Sequence, residues 1–357
     1  MVKNPLSALY GAILDLRNYA YDAGWLRSLS PPQRCIAVGN LAVGGTGKTP
    51  AVVYLLRLLL NADPAVTGKL ATLSRGYGRT TRGLRLATAA DTADTLGDEP
   101  LQLYQTFGDR VTVCVDERRT HALTYLAAAR PDIGTVVLDD AFQHRAVRPH
   151  LNLLLTDYNR PFYADEPFPG GRLRERRHGA RRAHAVIVTK CPHAPSPAER
   201  AAITARVRTY ASPDAGSPDA GSPDVPVWFA GLRYDVPRRF ADHQPAALTQ
   251  PVLLVSGLAD ARPLEQYVRT TWGLTQHAAY GDHYPYTRAE AEALTGQLKA
   301  GQWLLTTEKD RVKLAALFSP DELNRLPLAY LPVAMQFWQE ADADALHAAV
   351  LSGLKNR

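Results

Sequence analysis

Gly44-Gly45-Thr46-Gly47-Lys48-Thr49 stands between the apolar run Cys35-Ile36-Ala37-Val38 and the stretch Ala51-Val52-Val53-Tyr54-Leu55-Leu56-Arg57-Leu58-Leu59-Leu60. That order is strand, phosphate-binding loop, helix. Glycines let successive backbone N–H groups turn toward one anion, and the following helix aims its positive end at the same place. Lys48 is placed to reach the outer phosphates of a nucleotide, and the Thr49 hydroxyl to take a magnesium position. The usual pattern has glycine five residues before Gly47, where this chain has Ala42, with Gly39 earlier and Gly44-Gly45 nearer. A glycine-rich turn that binds nothing is the competing reading, and the adjoining Gly47-Lys48-Thr49 weighs against it.

A chain of 357 residues with 46% apolar content is long enough for two domains, each with its own core. The net charge of +6 favours acidic ligands such as phosphates or an anionic membrane surface, and no motif supports nucleic acid. Cys35, Cys114 and Cys191 have neither metal-ligand spacing nor a disulfide framework, so a reducing cytosol is expected. No run approaches the roughly 20 apolar residues that cross a bilayer, and the first residues lack the order of a secretion signal. Residues 5 to 22 plot as an amphipathic helix, with Leu6, Leu9, Ile13, Leu16 and Ala20 on one side and Asn4, Ser7, Asp15, Asn18 and Asp22 on the other. Few basic residues mark its polar side, so from the residues alone it reads as a helix packed on the core rather than a membrane-surface helix.

Short apolar or β-branched runs recur between helix-like stretches: Cys35–Val38, Leu70–Leu73, Val111–Val115, Thr135–Leu138, Asn152–Leu155, Ala185–Val188, Val227–Ala230, Val252–Val255, Trp303–Leu305 and Ala329–Pro332. Strands alternating with helices predict parallel sheets, and so many runs predict two α/β units. The boundary is expected near Asp157–Phe162. The expected organisation is a kinase-type phosphate-loop domain over residues 1–157 plus a C-terminal helix at about 336–357, with a smaller α/β domain over 158–335. Residues 212–224 repeat a Ser-Pro-Asp-Ala-Gly unit and read as a disordered insertion.

Thr135-Val136-Val137-Leu138-Asp139-Asp140 is an apolar strand ending in two carboxylates, the form of the acidic partner that holds magnesium beside a phosphate loop. Asp139 is the primary metal-side residue, and Asp140 points elsewhere if the backbone stays extended. Solvated aspartates at a strand-to-turn junction are the plain alternative. Gly97-Asp98-Glu99-Pro100 reads as a helix start with Asp98 as N-cap, a role compatible with accepting the proton of an attacking hydroxyl. His283, in Asp282-His283-Tyr284, falls in a loop before a helix capped by Thr287. The densest basic cluster, Arg172-Leu173-Arg174-Glu175-Arg176-Arg177 with Arg181-Arg182, suits an anionic ligand or lipid headgroups, or is simply solvated.

Together these segments resemble the tetraacyldisaccharide 4'-kinase family. The resemblance is carried by Val38–Pro50, Ser74-Arg75-Gly76-Tyr77-Gly78-Arg79, Gly97–Pro100, Asp139-Asp140-Ala141-Phe142-Gln143-His144, Leu173-Arg174-Glu175, Asp282-His283 and Thr306-Thr307-Glu308-Lys309-Asp310, in the family's order. The family's loop also lacks glycine at the place of Ala42. The resemblance implies transfer of the γ-phosphate of ATP, with magnesium, to the 4'-hydroxyl of a tetraacylated disaccharide 1-phosphate, giving lipid IVA for lipid A. It also implies a two-stranded linker between the domains and a lipid substrate received near their cleft. It further implies a peripheral place on the cytoplasmic face of the inner membrane through the N-terminal helix, reversing the packing reading above. No obligate protein partner is evident.

Residue by residue, the resemblance gives Gly44, Gly45, Thr46, Gly47, Lys48, Thr49 and Arg174 to the nucleotide, and Thr49, Asp139, Asp140 and Glu175 to the metal. Asp98 becomes the base, acting with Lys48 and with His283, which is expected to pair with Asp98 when the domains close. Ala141, Arg176, Arg148-Pro149 and His184 depart from the family's usual residues and bear on loop shape. Two other functions compete. A GTPase needs an Asn/Thr-Lys-x-Asp signature, and Thr189-Lys190-Cys191-Pro192 has proline where the carboxylate belongs. A non-catalytic nucleotide-binding scaffold would not need Asp98.

Overall fold

The computed structural model describes residues 4–212 and 224–355. Apart from its two end residues, the expected insertion at 212–224 lies outside them. In chain order the strands are β1 (Arg34–Asn40), β2 (Lys69–Ser74), β3 (Arg85–Leu86), β4 (Val111–Val115), β5 (Ile133–Asp139), β6 (Leu151–Asp157), β7 (Ala185–Thr189), β8 (Val227–Tyr234), β9 (Arg238–Arg239), β10 (Val252–Gly257), β11 (Leu274–Tyr280), β12 (Leu304–Thr307), β13 (Leu328–Leu331) and β14 (Val333–Phe337). The chain divides into two compact units: Met1–Arg75 with Arg110–Leu232 and Met335–Arg357, and Gly76–Asp109 with Arg233–Ala334.

The first unit is built on the parallel order β8-β7-β6-β1-β5-β2-β4, with β14 beyond β8. β1 is central, with Val38 opposite Asp139 of β5 on one side and Asn40 opposite Leu155 of β6 on the other. Its strands are continuous apolar runs because both faces are covered, so every position from Cys35 to Asn40 is buried. The helix Lys48–Asn61 follows the phosphate loop and buries Val52, Leu55, Leu56 and Leu59. At the C-terminus, the helix Glu340–Lys355 buries Leu346, Val350 and Leu354.

The domain boundary is not at Asp157–Phe162. The parallel sheet continues past it, Leu153 pairing with Ala185 and Val186 with Val227. The chain leaves the first unit between Leu232 and Arg233, inside β8, and returns between Ala334 and Met335, inside β14. A parallel strand added at one side of a sheet looks locally like a strand of a new sheet, so the apolar pattern alone could not place the break.

The second unit has the order β11-β10-β12-β13-β9, parallel except for β9 against β13. It also takes in Gly76–Asp109, which the sequence reading left in the first domain. The helix Asp98–Phe107 packs along the helix Glu308–Ala315, where Gln102 Nε2 donates to Glu308 Oε2 at 3.1 Å and Arg311 bonds Gln105. Contacts between residues two hundred positions apart leave no local signature.

The N-terminal helix Pro5–Asp22 starts at Asn4, whose Oδ1 accepts from Leu6 N at 3.0 Å. Its orientation is the reverse of a core-packing helix. Leu6, Leu9, Ile13 and Leu16 are exposed, Leu16 by 65%, while Ser7, Gly11 and Asn18 are buried. Its polar side is fastened to the first unit: Ser7 Oγ accepts from Gly170 N at 2.7 Å, and Asp15 pairs with Arg176 and His178, both at 3.0 Å. Among the described residues no helix is long and apolar enough to cross a membrane.

Gly39 is required where β1 meets the turn after β5. An added Cβ would lie 2.7 Å from Phe142 Cβ and 2.8 Å from the Phe142 backbone nitrogen. Gly39→Ala is expected to cost about 1–3 kcal/mol of stability. The check is a urea unfolding curve with a lower midpoint and unchanged slope; an unshifted midpoint would mean the two segments have room to part.

Candidate functional site

In the first unit, the phosphate loop turns through left-handed backbone at Gly44 (φ 104°) and Gly47 (φ 79°). Apart from its immediate chain neighbours, nothing lies within 4 Å of a Cβ built on Gly44 or Gly45, so this stretch of backbone is open to an incoming group. The helix Lys48–Asn61 has Gly47 as N-cap and no side-chain cap, which leaves its first amides for a ligand. The loop is pinned from behind through Thr46. Its Oγ1 accepts from Asn40 Nδ2 at 2.8 Å, and its carbonyl accepts from Thr189 Oγ1 at 2.8 Å.

Asp139 ends β5 buried, and Asp140 takes φ 46°, a left-handed conformation uncommon outside glycine. The backbone is therefore not extended at Asp140, and its side chain does not turn away from the loop as an extended strand would require. Asp140 is the carboxylate beside the loop lysine, 3.9 Å from Lys48 Nζ, with both its oxygens 2.8 Å from Arg174 Nη1. Burial opposes its ionisation, but Lys48, Arg174 and Arg119 outweigh it and hold the carboxyl below the usual range. Arg119, almost fully buried, donates to the carbonyls of Asp139 and Asp140 and so clamps the turn. Burial, then the nearby Arg75, lower its pKa to about 10, which leaves it charged at neutral pH.

The basic segment lies along the front of the loop: Val43 N donates to Arg172 O at 2.8 Å and Arg174 N to Leu41 O at 2.7 Å. This backbone pairing is what carries Arg174 to Asp140. Glu175 does not serve as drawn from the resemblance. Its buried carboxylate accepts from Asn18 at 2.9 Å, Gln143 at 2.9 Å and Arg182 at 2.7 Å, so it is a junction between the N-terminal helix and the loops, not a residue open to a metal. Arg174 and Glu175 both belong to the first unit, not to the smaller domain. Of the family departures, Ala141 needs no special backbone because Asp140 takes the turn, and Arg176 bonds Ala8 O at 3.1 Å to hold the N-terminal helix.

In the second unit, Asp98 opens the helix Asp98–Phe107, but Gly97 is its N-cap and no side chain caps it. The Asp98 carboxylate turns instead to His283 Nδ1 and Lys313 Nζ, both 3.1 Å from Oδ2. The two residues lie in one unit and are already bonded, so the pairing needs no domain closure, contrary to expectation. His283 has left-handed backbone (φ 59°), and its Nε2 lies 3.2 Å from Lys309 Nζ, which in turn donates to Asp282 at 2.6 Å. An ammonium can only donate, so this network assigns the hydrogen of a neutral His283 to Nδ1, facing Asp98. Burial raises the Asp98 pKa, but His283 and Lys313 outweigh it and hold the carboxyl low.

A family model described as tetraacyldisaccharide-1-P 4'-kinase matches residues 2–352. The chain belongs to this family. Proteins named tetraacyldisaccharide 4'-kinase from Cytophaga hutchinsonii and Flavobacterium johnsoniae are each 38% identical to it, over 94% and 93% of this chain and 91% of their own lengths. One from Bacteroides thetaiotaomicron is 39% identical over 87% of this chain and 82% of its own length. A crystal structure of LpxK from Aquifex aeolicus, described as an "apo" form in complex with ATP, matches with a TM-score of 0.73 at 25% identity and 98% coverage of both chains.

Several residues of this 4'-kinase family member escaped the sequence reading. Thr189 was weighed only as part of a failed guanine signature, yet it buttresses the loop. Arg119 gave no signal, since buried arginines are rare and its neighbours are charged. Lys313 was detectable in principle: it stands four residues after Lys309 on one helix, hence on the same face. Lys313→Met removes one of the two partners that hold the Asp98 carboxyl low, so it is expected to titrate at higher pH. A carboxylate NMR titration checks this, and an unmoved midpoint would show that Lys313 does not bear on Asp98.

Proposed function

We propose that this chain is the ATP-dependent kinase that phosphorylates the 4'-hydroxyl of a tetraacyldisaccharide 1-phosphate, giving lipid IVA in lipid A biosynthesis. The observation that supports it most is an uncapped helix N-terminus behind an open glycine loop, with Lys48 and Arg174 at its acidic turn, in a chain that matches the family over almost its whole length. The direct test mixes purified protein, ATP, magnesium and detergent-dispersed disaccharide 1-phosphate. A bisphosphorylated disaccharide is the expected product, and its absence rejects the assignment.

Under this reading the amides of Gly44 to Lys48 bind the phosphates of ATP, Lys48 meets the outer phosphates, and Arg174 adds a planar donor set suited to phosphate oxygens. Magnesium fits the donors at hand. Thr49 and Asp139 offer hard oxygen atoms, and among the described residues there is no cluster of three His, Cys, Asp or Glu that would form a protein-only cage. Such a set suits an ion that keeps waters and shares phosphate oxygens, as magnesium does. Thr49 and Asp139 would hold it, and it would supply charge neutralisation across the transferred phosphate. Asp140 keeps Lys48 and Arg174 in place, and Glu175 fixes the segment that delivers Arg174.

Asp98 is the base that receives the proton of the acceptor's 4'-hydroxyl. Its Oδ2 is occupied by His283 and Lys313, which leaves Oδ1 for that hydroxyl. His283 orients Asp98 rather than taking the proton itself, because its Nε2 already faces Lys309. Asp98→Ala is expected to lower kcat by about 10²–10⁴-fold, the usual worth of a positioned base, with the KM for ATP little changed. Equal transfer rates in variant and wild type would favour a nucleotide-binding scaffold in which Asp98 is only structural.

The outward row of Leu6, Leu9, Ile13 and Leu16, continued by exposed Trp25 and by Phe168 edge-on to Tyr10, supports a peripheral seat on the cytoplasmic face of the inner membrane. The lipid nature of the acceptor makes that seat useful. Replacing Leu9, Ile13 and Leu16 together by serine should abolish sedimentation with vesicles of phosphatidylethanolamine and phosphatidylglycerol while leaving thermal unfolding unchanged. Undiminished sedimentation would assign membrane contact to another surface.

A further inference from the structure

We propose that the buried face of the N-terminal helix braces the nucleotide site, with Asn18 as a positioning residue that holds Arg174 and the phosphate loop in place for ATP. This rests on the phosphotransfer reading above, and it gives the helix a task separate from any contact with lipid. Asn18 is only 7% exposed, on a helix whose leucines face outward. A buried side-chain amide is costly unless its hydrogen bonds are made, so its place calls for a specific partner. Asn18 Nδ2 donates to Glu175 Oε2 at 2.9 Å.

From Glu175 an unbroken line of hydrogen bonds leads to the phosphate loop. Gln143 Nε2 donates to Glu175 Oε1 and to Asn40 O, each at 2.9 Å. Asn40, fully buried at the end of β1, donates in turn from Nδ2 to Thr46 Oγ1 at 2.8 Å. The helix meets the same two segments again on either side of this line. Tyr10 OH donates to Arg174 O at 3.2 Å, Arg17 Nη2 to Gln143 O at 2.5 Å, and Arg145 Nη1 to Asn18 O at 2.8 Å. Tyr10 and Arg17 are seven residues apart, two turns along one side of the helix.

The consequence falls on the nucleotide because this line runs beside the residues that would meet its phosphates. Arg174, whose guanidinium lies on Asp140, immediately precedes Glu175, and Gln143 stands three residues after Asp140. Asn18 is the donor that meets Glu175 Oε2, whereas Gln143 and Arg182 meet Oε1. A buried carboxylate oxygen that loses its donor is strongly disfavoured, so without Asn18 the Glu175 side chain is expected to turn and take Arg174 with it. Contacts to a bound phosphate tolerate little such displacement. Fastening the helix does not by itself explain the pair, since Ser7 and Asp15 already do so at more accessible partners.

The test is calorimetric titration of ATP with magnesium into the full chain, in detergent buffer free of vesicles and of disaccharide, so that anchoring to lipid plays no part. Wild type is compared with Asn18→Leu, Asn18→Asp and the paired variant Asn18→Asp/Glu175→Gln. Asn18→Leu keeps the volume but removes the donor, and is expected to weaken ATP binding about three- to tenfold. Asn18→Asp sets one carboxylate against another and should weaken it by more than about tenfold. The paired variant exchanges donor and acceptor, and should bring affinity back to within about threefold of wild type. In steady-state kinetics the loss in Asn18→Leu should appear in the KM for ATP, with the KM for the disaccharide within about twofold, a split that general loss of stability would not give. Unchanged ATP affinity in both single variants overturns the proposal, as does a paired variant no better than Asn18→Asp, which would trace the loss to disturbed packing. If wild type binds no ATP, the phosphotransfer reading fails and the brace with it; a wild type that binds ATP alongside tolerant Asn18 variants removes the brace alone.

Discussion

The first unit depends on one strained turn. Asp140 is held in left-handed backbone, a conformation that a non-glycine residue keeps only when its surroundings enforce it. The enforcement is a buried guanidinium: Arg119 spans the carbonyls of Asp139 and Asp140, and Gly39 has no Cβ to collide with Phe142 just beyond. A buried charge is tolerated only if hydrogen-bonded and opposed by charge. Here the two carbonyls supply the bonds and the two aspartates the opposing field. The turn in exchange brings Asp140 to Lys48 and Arg174, so one arginine beneath fixes the charge pattern of the phosphate loop above.

Much of the fold was legible because parallel strands buried on both faces leave unbroken apolar runs. Every such run named from the sequence coincides with a strand, within a residue or two at the ends except at β8, which runs four residues beyond Ala230. β11 was missed because it lies at the edge of its sheet and mixes Thr275, Gln276 and His277 with its apolar residues. β14 was missed because it begins directly after Pro332, only one residue beyond β13. The unit boundary was misplaced for a different reason: which sheet a strand joins is decided by long-range pairing, and nothing in the run Ala185–Val188 says that β6 is its neighbour.

The site was legible where chemistry is local and illegible where it is tertiary. A phosphate loop is a contiguous device, so its glycines, Lys48 and Thr49 could be read directly. Asp98 could be recognised as a residue at a helix start but was misread as a cap, because the partners that claim its carboxylate come from residues 283 and 313. Glu175 carried the right neighbours in sequence, yet its three donors come from residues 18, 143 and 182. The N-terminal helix shows the same limit. Periodicity identified its two faces correctly but not which faces the protein, since a polar side with good ion-pair and hydrogen-bond partners can anchor a helix as firmly as an apolar one.

The electrostatics of Asp98 bear on how the proposed reaction would work. Two basic partners at one carboxylate oxygen keep it ionised and also make it a weaker base, which would be a poor arrangement for a reaction limited by proton removal. Phosphoryl transfer through a loose transition state is not of that kind, because the hydroxyl proton is needed elsewhere only late, when the bond to phosphorus is forming. What such a reaction requires is an acceptor oxygen held in line and a place for its proton to go. A carboxylate fixed by His283 and Lys313, with one oxygen left to meet the hydroxyl, answers that requirement better than a strong but mobile base would.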